Sequence, residues 1–386
     1  MNSQYESVLM KHIWKQAPNY FPGIVSDRIT VQLREKQKRP SAMLYKFEIM
    51  DGAQDHSIVV KVPMRNLPNI DTEDTTYKKP SLFQKADAQD MHWLQYTALT
   101  SMYEYFAQLK NERLGAIHVL DYLPEYQAIL MVEARDPSLQ SLFLKENRLH
   151  FLLNEHHLTS AFQNAGKWLQ KYHTMPKEAG VQIRHQYRED YIDAIIKLTD
   201  FLAKAWGDES FFKHTASVII QNARKIHPES LPLGLGHGDY AMRNILIGPI
   251  NRVTVLDTFA KWRVPIYEDI GYFLNGLRTS YSQVLTQGLL YSSNQIAAYE
   301  TAFLQGYFET GKIPYSNIRL YEVLALLDKW SSVVNYYHTR SAKLKNFGGI
   351  KTLMASWHFK RYTKSLLRQI TRDGTSRSFS AFEKTY

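Results

Sequence analysis

The sequence contains no cysteine. Disulfides, thiolate metal sites and cysteine nucleophiles are therefore excluded. Long apolar runs are also missing. A typical one, Ala128-Ile129-Leu130-Met131-Val132, falls far short of the ~20 residues that span a bilayer. The start, Met1-Asn2-Ser3-Gln4-Tyr5-Glu6, lacks a basic segment followed by an apolar one, so no secretory leader is expected and the expected location is cytoplasmic. Between Gly23 and Gly52 there is no glycine, which leaves the first strands without a glycine-rich turn. The run Gly234-Leu235-Gly236-His237-Gly238 has neither the GxGxxG nor the Walker A spacing. Asn154-Glu155-His156-His157 is not HExxH, and GxSxG is absent, so zinc-protease and serine-hydrolase chemistry have no anchor.

What is present is globular. The 386 residues are 44% hydrophobic, 22% charged and 13% aromatic, which is enough apolar surface for real cores and too much chain for one. The net charge of +10 is uneven. Ten Lys/Arg and one acid, Asp373, fall between Arg340 and Arg377, so that segment carries +9 and the rest about +1.

The pattern divides the chain near residue 134. Before it, a short helix over 5–16 precedes strands over 29–33, 42–50 and 57–62, the last two joined through Asp51-Gly52. A polar loop follows over 66–90, then a helix over 91–110 and strands over 117–122 and 128–133. From about 138 helical spacing dominates, with one β-like island at 244–257. The expected architecture is α+β: a small β-rich lobe, 1–134, and a larger helical lobe, 135–386.

The chemistry concentrates in His237-Gly238-Asp239-Tyr240-Ala241-Met242-Arg243-Asn244-Ile245-Leu246-Ile247 and, shortly after, Val253-Thr254-Val255-Leu256-Asp257. Asp239 and Asn244 lie on a loop that enters an apolar strand, and Asp257 ends a second one. A hairpin through 248–252 brings Asn244 and Asp257 to the same open end. Their oxygens suit magnesium, which takes few protein ligands and keeps waters and substrate phosphates. Asp239 stands beside them as a carboxylate able to take a proton from an attacking hydroxyl. Singly, each is readable as a turn, loop or cap residue; together they are not.

This constellation resembles the aminoglycoside phosphotransferase and choline kinase family, whose members share the protein-kinase-like fold. The core match spans residues 234–273. The resemblance implies ATP and magnesium as cofactors, Asp239 as catalytic base, and Asn244 and Asp257 as metal and nucleotide ligands. It further implies His237 as a buttress of the catalytic loop and Asp269 as the helix-start acid that steadies it. Lys61 matches the phosphate-binding lysine, and Met131, Val132 and Glu133 match the strand and hinge beside the adenine. Two features depart from the pattern. Gln95 stands where an acid should pair Lys61, implying a hydrogen bond in place of an ion pair. The basic turn Glu35–Ala42 replaces a glycine-rich loop, leaving its lysines and Ser41 as phosphate contacts or as an ordinary solvated hairpin.

The expected partner is a small-molecule acceptor. Glu189, Asp190, Asp193 and Asp200 form a candidate acidic helix face, but the overall basic balance favours a neutral or anionic acceptor over a polycation. In 340–377, the helical spacing of Phe347, Trp357, Phe359, Tyr362, Leu366 and Leu367 suggests docking onto the larger lobe, with contact to acidic lipid as an alternative. Nucleic acid is the weakest partner, since no binding motif accompanies the charge. The reading from another class is a non-catalytic pseudokinase that binds a partner.

Overall fold

The computed structural model describes residues 2–24, 29–39, 42–52, 55–63, 79–80, 91–146, 158–176, 181–258, 262–338 and 342–373. The loop expected over 66–90 lies outside these residues except for Lys79 and Pro80, as do Ser41 and 154–157. The chain forms two compact units. The first comprises Met1–Asp71, Lys85–Asp136 and Val255–Phe259; the second comprises Thr72–Gln84, Pro137–Thr254 and Ala260–Tyr386.

The first unit is built on a five-stranded antiparallel sheet. Its strands are β1 (Thr30–Lys38), β2 (Ala42–Met50), β3 (Asp55–Pro63), β5 (Val119–Leu123) and β6 (Ala128–Val132), in the order β1-β2-β3-β6-β5. Tyr45, Phe47 and Ile49 alternate inward along β2, as a half-buried strand requires. The helix α1 (Asn2–Tyr20) is longer than the spacing indicated. Its Leu9, Ile13 and Ala17 recur every four residues, so they share one face and are fully buried in the same core as Phe47, Ile58 and Val60. Lys61 follows Val60 and so points to the opposite side of β3, where its cross-strand partner is Ile129. A second helix, α2 (Met91–Gln108), packs against the short β4 (Leu114–Ala116) and against β5 and β6.

The second unit is mainly helical: α3 (Leu139–Lys145), α4 (Thr159–His173), α5 (Arg188–Trp206), α6 (Glu209–Ile226), α7 (Tyr267–Arg278), α8 (Tyr281–Leu285), α9 (Ser293–Phe308), α10 (Tyr315–His338) and α11 (Ala342–Asp373). Helices α4 and α9 cross in close contact because both carry glycine there. A Cβ on Gly166 would run into the backbone of Phe303, and one on Gly306 into that of Gln163. Around this crossing Phe143, Phe162, Tyr299, Phe273 and Phe303 stack or meet edge to face. Elsewhere Arg278 and Arg319 are ion-paired with Glu300 and Glu322, which ties α7, α9 and α10 together, and the Tyr362 hydroxyl of α11 donates to Glu322.

Sequence patterning over-simplified this unit. Beside β9 (Ile245–Ile247) and β10 (Val253–Val255), it contains β7 (Gln182–Ile183), β8 (Leu233–Leu235) and β11 (Trp262–Pro265), joined in the order β7-β11-β8. Strands of two to four residues are too short for alternation to register. Docking of α11 is also narrower than the apolar spacing suggested. Phe359, Leu366, Leu367 and Ile370 are buried, whereas Trp357 is 73% exposed, because it falls two residues before Phe359 and so on the far face of the helix. Arg340 and Arg377, and the side chain of Phe347, lie outside the described residues.

Candidate active site

Strand β8 runs into the loop that carries Asp239. The glycines at its start are packing devices: a Cβ at Gly234 would lie 2.7 Å from His173 Cβ, and one at Gly236 would lie 2.7 Å from Val264 Cγ2. At Gly238 the chain takes φ +79°, the left-handed region open to glycine. The loop continues through a 3₁₀ turn, Met242–Asn244, into β9.

Asp269, in the first turn of α7, fastens this loop. Its Oδ2 accepts the His237 N–H at 2.7 Å, and its Oδ1 accepts the Gly238 N–H at 3.0 Å. The carboxylate is buried, which alone would raise its pKa. The hydrogen bond and charge of His173, with the charge and backbone N–H of His237, outweigh burial and hold it below the ordinary carboxylate value. His173 Nε2 is 3.1 Å from Asp269 Oδ2, and its Nδ1 is 2.7 Å from the Tyr307 hydroxyl. The His237 ring is fully buried among Trp168, Tyr172 and Tyr240, and its Nδ1 accepts the Asp239 N–H at 3.3 Å.

The Asp239 carboxylate is held on both oxygens. Asn244 Nδ2 donates to Oδ2 at 2.9 Å and to the Asp239 carbonyl at 3.0 Å. The Tyr272 hydroxyl donates to Oδ1 at 3.0 Å, and Arg243, four residues on in the 3₁₀ turn, forms an ion pair with the same oxygen. Asp239 remains 32% exposed, so it is both positioned and reachable.

In the first unit Lys61 Nζ lies 2.6 Å from Asp257 Oδ1, and the buried Gln95 donates to that oxygen at 3.2 Å. The hydrogen bond expected for Lys61 in place of an ion pair is thus corrected: Lys61 has an ion pair, with Asp257, and the α2 amide bonds that aspartate. An amide supplies a donor to a carboxylate where a second acid would repel it. Asp257 has φ 49°, a conformation that aspartate tolerates better than most residues.

Met131 and Val132 pair with Val59 and Ile58 across β3 and β6. The Glu133 N–H is already donated to Ser57 O at 2.9 Å, so an adenine edge would meet the Glu133 carbonyl or backbone groups beyond it. The Glu133 side chain is structural: Arg34 binds both its oxygens, at 2.6 and 2.7 Å, and Arg135 approaches at 3.4 Å. In the basic turn, Lys36 pairs with Glu6 and Glu35 with Lys46. The candidate acidic face on α5 is also largely consumed locally. Glu189 pairs with Arg188, Asp193 with Lys197, and Asp190 accepts the Tyr187 N–H at the helix start.

Each unit presents an oxygen donor of the type that magnesium takes. In the second unit the Asn244 amide nitrogen is turned to Asp239, which leaves its carbonyl oxygen unengaged by that bond; in the first, Lys61 and Gln95 engage Asp257 through Oδ1. Among the described residues no three His, Asp or Glu converge as a metal cage, the arrangement that zinc would need.

Sequence reasoning missed His173, Arg243 and Tyr272. Arg243 lay within the motif, four residues from Asp239, where an ion pair was foreseeable. The others come from separate helices, and nothing in their local sequence marks them.

No family model matches the sequence, and no curated relative does. Solved structures do match. A choline kinase from Cryptosporidium parvum aligns with a TM-score of 0.53 and 9% identity, over 96% of this chain and 97% of its own. An ethanolamine kinase from Plasmodium vivax gives 0.52 and 11%, over 94% and 91%. A macrolide 2'-phosphotransferase from Brachybacterium faecium gives 0.53 and 11%, over 90% and 98%. The chain therefore has the bilobal α+β, protein-kinase-like fold of small-molecule kinases.

Proposed function

We propose that this protein is a kinase that transfers the γ-phosphoryl group of ATP to a hydroxyl of a small acceptor. The observation that carries the reading is the Asp239 loop. Its backbone is fastened by Asp269 at two consecutive N–H groups, and its carboxylate is aimed by the Asn244 amide five residues later. A turn aspartate has no need of such a frame, whereas a base that must meet one hydroxyl in one orientation does. The fold shared with choline, ethanolamine and macrolide kinases supports the same chemistry.

In this reading ATP with magnesium, held by Lys61, Asn244 and Asp257 with its base near Met131, Val132 and Glu133, supplies the phosphoryl group and the neutralising charge. The acceptor hydroxyl gives its proton to Asp239. Its oxygen bonds to the γ-phosphorus as the bond from that phosphorus to the β–γ bridging oxygen breaks, and ADP departs. The residues do little covalent work; positioning and charge carry the catalysis. His237 and Asp269 hold the loop from behind. The division at 134 separates nucleotide-binding from acceptor-binding functions, and the setting is cytoplasmic. Among the described residues no helix is long and apolar enough to cross a membrane.

The test is thermal unfolding with ATP and magnesium, for the wild type and for Asp257→Ala. Ligand at ~100 times its dissociation constant adds about 2.7 kcal/mol, a rise of a few degrees. A rise that shrinks in Asp257→Ala is the expected result. No rise in either protein would sink the kinase reading and leave the partner-binding one.

A further inference from the structure

Beyond Asp239, helix α7 carries a feature that the phosphotransfer reading leaves unused. Tyr272, Gly276 and Thr279 lie at intervals of four and three residues, so they share one face. Tyr272 stands at one end of this row with its hydroxyl on Asp239. At the other end Thr279 receives Lys329 of α10: Nζ donates to the Thr279 carbonyl and to its hydroxyl, both at 2.8 Å. Between them Gly276 leaves a gap. A Cβ there would meet nothing within 4 Å among the described residues, in contrast to Gly271 on the same helix, where it would lie 2.6 Å from the Tyr321 backbone. A glycine inside a helix costs roughly 1 kcal/mol relative to alanine, and at Gly276 no close helix crossing accounts for it.

At the Thr279 end of this row the charge is one-sided. The nearby Arg278 and Arg319 are neutralised by Glu300 and Glu322. Lys329, by contrast, has no carboxylate partner among the described residues, and its neighbour Asp328 pairs instead with Lys79. Two of its three N–H donors go to Thr279, which leaves the third for a ligand. Burial, reinforced by the charge of Arg243, holds the Lys329 pKa down at about 8. Arg243 itself is 51% exposed and has only the Asp239 carboxylate as an anionic partner among the described residues. A buried ammonium without a carboxylate partner is stabilised by an anion at its free N–H.

We infer that the open space over Gly276 is the acceptor subsite and that it takes a sugar-sized hydroxyl compound bearing a carboxylate or phosphate group, bound through Lys329. The row from Tyr272 to Thr279 spans about 10 Å at the helical rise of 1.5 Å per residue. That length seats a monosaccharide-sized body with its hydroxyl at Asp239 and its anionic group toward Lys329. The assignment of the hydroxyl end rests on the phosphotransferase reading; the anion end rests on the open space over Gly276 and on Lys329.

The first measurement is therefore independent of ATP. Lys329 is labelled with an acylating reagent in the whole protein, and its modification is followed by mass spectrometry in the presence of gluconate, glucose 6-phosphate, glucose or glucosamine. The expected result is selective protection of Lys329 by one or both anionic sugars, the two arms distinguishing a carboxylate ligand from a phosphate one. Equal protection by glucose or glucosamine, or no protection by any probe, overturns the proposal. In calorimetric titrations of the protecting anion, Lys329→Met should bind about 10- to 100-fold more weakly, the worth of a charge-assisted hydrogen bond. Lys329→Arg should retain most of the affinity, and Gly276→Leu should abolish binding by filling that space. Unchanged affinity in both Lys329→Met and Gly276→Leu also overturns it. Failure of the ATP and magnesium shift would count against the kinase reading alone, since anion protection is read without nucleotide.

Discussion

Asp239 illustrates how a loop carboxylate is directed and yet left reachable. Asn244, Tyr272 and Arg243 direct its oxygens, while a 32% exposed side chain leaves room for an acceptor. Replacing it with asparagine preserves the shape and removes the base. Asp239→Asn is expected to lower turnover by roughly 10²–10⁴ with an unchanged melting temperature; steady-state kinetics with the acceptor check this, and near-normal turnover would strip Asp239 of its role. His227 matters to stability rather than to chemistry. It is buried beside Tyr191 and Tyr321 with Nδ1 2.6 Å from Asn317 Oδ1, and burial pushes its pKa from 6.5 down to about 4. The unfolded chain binds this proton near 6.5 and the folded one resists it to about 4. The neutral ring's contribution is therefore complete above pH 6.5 and is lost progressively as pH falls toward 4, at about 1.4 kcal/mol per unit. Urea midpoints across that window should fall less steeply in His227→Asn than in the wild type; parallel slopes would assign the acid sensitivity to other groups.

Among the helices, α11 is the one whose charge and packing pull toward different interpretations. Its lysines and arginines suggest an appendage, yet Phe359, Leu366 and Ile370 are buried to 1% exposure or less, and Trp330 Nε1 of α10 donates to Ser356 at 2.9 Å. The helix is part of the core, with its basic face outward. Phe359→Ala should therefore cost about 3–5 kcal/mol through the cavity it leaves. Trp357→Ala, two residues away but 73% exposed, should stay within about 0.5 kcal/mol. Denaturant melts of the two variants decide the matter. Similar losses in both would mean that Trp357 is covered in solution, and no loss in either would mean that α11 is not docked.

Across the whole molecule, two units each possess an interior of their own: a sheet with α1 on one face in the first, and an aromatic helical core in the second. Chains organised in this way commonly depart from two-state unfolding. Scanning calorimetry of the intact protein should give a calorimetric enthalpy larger than the van't Hoff enthalpy. Equality of the two would mean that the units unfold as one. The charge is divided just as unevenly, with +9 of the +10 carried by 340–377.

Much of this was legible along the chain. The sheet of the first unit came from alternation in β2 and β3, and the helical character of the second from apolar spacing, because long elements that bury one face must repeat at their own period. Asp239, Asn244, Asp257, His237 and Asp269 were found because they crowd into one short stretch around two strands, where spacing limits what the side chains can do. The short strands β7, β8 and β11 stayed hidden, since their pairing is set by distant partners rather than by their own few residues. So did His173 behind Asp269, Tyr272 on Asp239, Asp257 as the partner of Lys61, and Lys329 on Thr279. Each depends on side chains that meet only when separate segments pack, and burial, which makes those meetings consequential, is a property of the folded chain and not of its order of residues.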